Sequence, residues 1–124
     1  MTLSPIPYEA IIKWLPDFHS KSHNQDPLPN NAELIGIFEG EYFIGYFIVT
    51  GSSDGDLEIN HGYLCKEARH KKAYRLAMCL LEQQAKRIGY KRILLASSRS
   101  LKAYIKFMAE MNYKPERIIF SKVV

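Results

Sequence analysis

Apolar positions change period several times along this chain, and each change marks an element. Between Glu33 and Thr50 nearly every position is apolar except Glu39-Gly40-Glu41. Two such runs about a short glycine turn predict a β-hairpin, with strands Glu33–Phe38 and Tyr42–Thr50 buried on both faces. Gly36 and Gly45 within those strands predict a bulge or a close backbone approach. From Leu57 to Cys65 the pattern alternates. Leu57, Ile59, His61, Tyr63 and Cys65 fall on one face, Glu58, Asn60, Gly62 and Leu64 on the other. The period then becomes helical, with Ala73, Leu76, Ala77, Leu80, Leu81, Gln84 and Ile88 forming one stripe from about Lys72 to Ile88. Glu82 and Lys86 form an i,i+4 pair outside that stripe. Gly89 ends the helix, and Arg92–Ala96 forms a short buried strand.

The flanking segments complete the order. Tyr8, Ile11, Ile12 and Leu15 predict a first helix over Pro5–Leu15, stopped by Pro16. His19–Asn31 is polar and proline-interrupted, which predicts a loop. After Ser98 or Ser100 as N-cap, Leu101, Tyr104, Phe107, Met108 and Met111 predict another amphipathic helix, with Asn112 as its left-handed cap. Pro115 then leads into a last strand, Ile118–Val124. The order α, β-hairpin, β, α, β, α, β predicts an α/β architecture of the α+β, mixed-sheet kind, with helices on both faces and a parallel crossover over Leu57–Ala96.

Composition narrows the picture. At 124 residues and 47% hydrophobic, the chain suits one domain, 1–124, with a real core. No apolar run reaches the ~18 residues of a membrane span, and no signal-like segment opens the chain, so a cytoplasmic protein is expected. Cys65 and Cys79 lack metal-ligand or redox spacing and are expected to be small reduced core residues. His19, His23, His61 and His70 show no ligand-like pairing, so no metal is expected. A net charge of +4 is concentrated in Arg69–Arg75, Lys86–Arg92 and Arg99–Lys106. Such clusters suit phosphate, on a cofactor or on nucleic acid, and equally suit solvated helix faces.

The hairpin ELIGIFEGEYFIGYFIV, with Gly45, resembles the second and third strands of the GNAT superfamily of N-acetyltransferases. The segment LCKEARHKKAYRLAMCLLEQQAKRIGYKRI resembles that family's acetyl-CoA motif, V-x-P-x-Y-R-G-x-G-I-G followed by L-L-x-x-L-x-x-x-A-x-x-x-G, with Ala85, Gly89 and Ile93 on family positions. SLKAYIKFMAEMNYKPERIIF resembles its A-x-x-x-Y-x-x-x-G-F segment. The resemblance spans roughly 33–124, with a short N-terminal part in which the family's first strand is hard to find. It implies an acetyl-CoA-dependent N-acyltransferase, and a cofactor site over Leu64, Arg69, His70, Lys71, Lys72, Ala73, Tyr74 and Arg75.

The departures are specific. Arg69 stands at the motif's arginine, but His70, Lys72 and Tyr74 replace glycines that let backbone approach a diphosphate. Met108 stands where many members have the tyrosine acid, and Asn112-Tyr113 replaces Gly-Phe. Acyl transfer needs a base, a polarised thioester and a proton for the leaving thiolate. Glu58 and His61, on opposite strand faces, are the base candidates, and Tyr104 is the substitute acid. Each also suits a structural part: Glu58 facing solvent, His61 packed beside Ile59 and Cys65, Tyr104 a packed aromatic. Lys71, Lys72 and Arg75 in a first helical turn oppose the helix dipole unless an anion binds there.

Three functions follow. The first is a weakly active or inactive acyltransferase-like protein with an altered loop. The second is a non-catalytic GNAT-like binding or structural protein meeting a protein partner through aromatics such as Trp14, Phe18, Tyr42 and Tyr90. The third is nucleic-acid binding through the basic clusters. The short N-terminus and the replaced glycines also resemble GNAT-like proteins of short-tailed bacteriophages, some of them virion components.

Overall fold

The computed structural model describes residues 1–10, 31–69, 71–95, 102–114 and 122–123. Five strands form one mixed sheet in the order β1-β2-β3-β4-β5: Thr2–Pro5, Glu33–Glu39, Tyr42–Gly51, Asp56–Leu64 and Arg92–Leu95. The first four are antiparallel to their neighbours, and β4 pairs with β5 in parallel. Helix α1 (Lys71–Ile88) joins that parallel pair, and α2 (Lys102–Glu110) follows β5. The expected hairpin is present, closed by Gly40-Glu41 with Gly40 at φ +58°.

Pro5, expected to open a helix, instead ends the first strand, Thr2–Pro5. Its register sets Leu3 opposite Ile37, and helical residues begin only at position 8. A four-residue edge strand with one inward apolar side chain has too little alternation to betray itself, and its terminal proline suits an edge. The expectations for residues 11–30, 96–101 and 115–121 fall outside the described residues; of the expected last strand, Ile118–Val124, only Lys122 and Val123 are described, and they are not strand.

Both sheet faces are covered, as the unbroken apolar hairpin predicts. Ile37, Phe47, Val49, Leu57, Ile59 and Leu64 pack with Ala73, Ala77, Met78, Leu81 and Ala85 of α1. Tyr46 and Ile48 face the other way, with Leu34, Phe43 and Tyr63 around them. Gly45 is required by closeness: a Cβ there would lie 2.1 Å from the Tyr63 carbonyl oxygen.

The buried stripe of α1 is rotated from the expected one. Leu76 and Ile88 are 47% and 73% exposed, while Met78 and Ala85 are buried. Cys79, expected in the core, is exposed. Small residues at 73, 77 and 85 let the helix axis sit close to the sheet, and that closeness decides which larger side chains fit beneath it. Gly89, at φ +112°, ends the helix, and the Tyr90 N–H donates to the Ala85 carbonyl. Asn112 caps α2 at φ +66°, as expected. Glu82 accepts a 2.9 Å hydrogen bond from the Tyr113 hydroxyl, tying α1 to the segment that follows α2. Burial, and then that contact, push the Tyr113 phenol above its ordinary range.

Candidate functional site

The site begins with a parity change in β4. Leu57 and Ile59 pack under α1, and so does Leu64, an odd number of residues further on. An unbroken strand cannot put all three on one face. The ladder resolves this at Asn60: Val49 pairs with Ile59 and Ile48 with His61, leaving Asn60 as the extra residue of a bulge. Its carboxamide donates a hydrogen bond to the Thr50 hydroxyl on β3. Glu58 lies opposite Thr50, His61 opposite Ile48 and Tyr63 opposite Tyr46.

Glu58 and His61 therefore share a face, against the expectation that they part, and His61 leaves the face of Ile59. The His61 and Tyr46 ring centroids are 5.9 Å apart. Glu58, Asn60, His61 and Tyr63 are all half-buried. Among the described residues β4 pairs with β5 only from Asp56 to Ile59, so the half of β4 beyond the bulge runs past its parallel neighbour.

The expected cofactor residues follow β4. A 3-10 turn (Lys66–Ala68) leads to Arg69, whose Nε donates to the Leu64 carbonyl at 2.7 Å. The Arg69 guanidinium lies 5.2 Å over the Tyr63 ring. The side chains of Leu64 and Ala73 are core. Lys72 is exposed, and no acid stands in the first turn of α1. Arg75 turns toward α2, 2.8 Å from a Glu110 carboxylate oxygen and 5.5 Å over Phe107. His70 and the side chains of Lys71 and Tyr104 lie outside the described part.

Tyr74 does not stand across the mouth of the turn. Its ring points inward, edge-on to Phe47 at 6.5 Å and 5.9 Å from Phe107. A Cβ at Gly62 would lie 3.4 Å from the Tyr74 hydroxyl and 3.3 Å from Phe47, so Gly62 leaves the room that this ring uses. Tyr74 thus fills the space between the bulged half of β4 and α2. A cavity of about 320 Å³ beneath the start of α1 is lined by Ile44, Cys65, Ala68 and Ala73 with Glu39 and Glu67, the wrong sign for phosphate.

In the second basic cluster, Arg92 has a local use. Arg92 makes a two-pronged contact with Asp56, both at 3.0 Å, which holds the Asp56 carboxyl below its usual range. Of the aromatics proposed for a partner, Tyr42 is 77% exposed, while the Tyr90 hydroxyl packs over Gly51. Trp14 and Phe18 lie outside the described residues. No group of three or more metal-ligating side chains is found among the described residues, and no described helix is long and apolar enough to cross a membrane.

Asn60, Thr50 and Gly62 are the residues that sequence reasoning passed over. The signal was present in the mismatch of parity between Ile59 and Leu64.

No family model and no curated protein sequence matches the chain. Solved structures do. YycN of Bacillus subtilis superposes with a TM-score of 0.71 at 18% identity, covering 99% of this chain and 98% of that one. A ribosomal-protein-alanine N-acetyltransferase from Brucella melitensis gives 0.71 at 12% identity, with 99% and 98% coverage. The aminoglycoside enzyme AAC(6')-Iy, solved with a bisubstrate analogue containing CoA, gives 0.68 at 10% identity, with 99% and 97% coverage. Such coverage includes the N-terminal strand that the sequence resemblance could not locate. The fold of this chain is that of the GNAT acetyltransferases.

Proposed function

We propose that this protein is an N-acyltransferase-like member of the GNAT fold whose altered acetyl-CoA turn leaves it weakly active or inactive. The observation that carries this reading is the position of Tyr74, wedged between Phe47 and Phe107 with its hydroxyl beside Gly62. In the family motif a glycine occupies this position. A tyrosine puts a packed ring where an extended cofactor arm would need room, and displacing it would cost the aromatic contacts that hold it. Arg75 further supports the reading, because its charge is already matched by Glu110. Acetyl-CoA therefore does not fit these residues in the way the family motif implies. Glu58 and His61 keep a polar face on β4, so the acceptor side of the fold is less altered than the cofactor side.

The test is ligand-linked stability. A cofactor present at 100 times its Kd raises stability by ~2.7 kcal/mol. Millimolar acetyl-CoA should leave the melting temperature of the wild-type protein unchanged, and should raise that of Tyr74→Gly. A clear rise in the wild type would overturn the reading.

A further inference from the structure

At the end of α1 away from the ligand turn, another cavity lies between the helix and the sheet. It holds about 180 Å³. Buried Val49 and Leu57 line it from the sheet, and buried Leu81 and Ala85 line it from α1. An engineered apolar cavity of about 150 Å³ stays dry and takes up benzene, so this volume suffices for one ring or a branched alkyl group. Ile88, 73% exposed, marks its mouth.

Three polar side chains, Glu33, Gln84 and Tyr90, interrupt the apolar lining. Glu33 is the informative one. Ile37 and Ile35 pack under α1, and alternation puts Glu33 next on that face, across the ladder from buried Val49. A carboxylate thus stands where the stripe calls for an apolar residue. Tyr90 adds a phenol oxygen, packed over Gly51 so closely that a Cβ there would lie 2.1 Å from it. No basic side chain lines the cavity among the described residues, and Lys86 and Arg87 of the last helical turn are exposed and outside the lining.

We propose that this cavity binds a small primary amine with an apolar ring or branched alkyl body. The body fits between the sheet and Leu81, and the ammonium stays at the rim, meeting the Glu33 carboxylate while keeping part of its water. A neutral molecule of the same shape gains only the burial of its apolar surface. An anion of that shape meets like charge at Glu33. Glu58 and His61 lie on the other face of the sheet, so an amine bound here is not placed as an acyl acceptor. The site is additional to the proposed function and independent of it.

The experiment is a methyl-detected NMR titration of the full chain with benzylamine, benzyl alcohol and benzoate. Benzylamine should give saturable shifts in the methyl signals of Val49, Leu57 and Leu81. Benzyl alcohol should bind more weakly, and benzoate should leave those methyls unmoved. Glu33→Gln should weaken benzylamine about two- to fivefold, the span of an exposed ion pair, and leave benzyl alcohol unchanged. Ala85→Leu fills the cavity and should abolish both; if that variant does not fold, the Glu33→Gln comparison still decides. Absence of saturable shifts at those methyls, benzoate binding as well as benzylamine, or a benzylamine affinity unaltered by Glu33→Gln would overturn the proposal.

Discussion

At its C-terminal end α1 is held as helix packing alone would hold it, and at its N-terminal end it is not. Ala77, Met78, Leu81 and Ala85 bury against the sheet, Gly89 supplies the left-handed stop, and Lys86 and Arg87 lie where the helix dipole favours cations. The first turn buries Ala73 but reverses the electrostatic match. It has no acid, it carries Lys72 in solvent, and Arg75 needs Glu110 from another helix to balance it. The one large side chain there, Tyr74, is packed inward against Phe47 and Phe107. The contrast teaches that the two ends of one helix answer to separate constraints. The packing end follows the demands of the sheet beneath it, while the first turn stays positively charged with no acid to match the helix dipole.

Substitutions at the two ends should separate these constraints. Leu81→Ala, at 1% exposure, should lower unfolding free energy by about 2–5 kcal/mol in urea titration. A loss below 1 kcal/mol would mean that the C-terminal half is not the anchor described here. Gly89→Ala forces a side chain onto a φ of +112° and should cost about 1–2 kcal/mol, with the helix otherwise intact by circular dichroism.

Tyr113→Phe removes the bond to Glu82 and should cost about 1 kcal/mol at neutral pH. The same variant has a pH signature. The Tyr113 phenol is raised in the folded state, so its contribution is complete below the ordinary phenol value of about 10 and is lost as pH climbs above it. Wild-type stability should therefore fall above about pH 10, and Tyr113→Phe should fall less steeply in parallel denaturation curves.

The smallest effect has the most diagnostic sign. Lys72→Glu places an acid in a first turn that has none, and should raise stability by about 0.3–1 kcal/mol at low salt. If the turn did bind a phosphate-bearing ligand, adding that ligand would narrow or reverse this gain. A ligand-independent gain, measured by melting with and without acetyl-CoA, keeps the two ends of α1 distinct.

Much of the architecture was legible in residue order because local patterns there agree with tertiary needs. The hairpin declared itself through two unbroken apolar runs about Glu39-Gly40-Glu41, and α1 through its stripe and Gly89. Asn112 was legible as a cap because few residues but glycine and asparagine accept a positive φ. Thr2–Pro5 was hidden, since its strand state comes from pairing with β2 rather than from its own four residues. The sharing of a face by Glu58 and His61 was hidden for a related reason. Strict alternation sets them apart, and the rule fails only where the ladder admits an extra residue.

By itself, then, the chain order determined which segments become strands and helices, and that a mixed sheet must bury apolar strands on both faces. It also determined that cations gather at the start of α1. Tertiary structure alone decided where β4 changes parity and which way Tyr74 turns. Period and propensity act over neighbouring residues, whereas these two outcomes depend on partners distant in sequence: the pairing with β3 for the bulge, and Phe47, Gly62 and Phe107 for the ring.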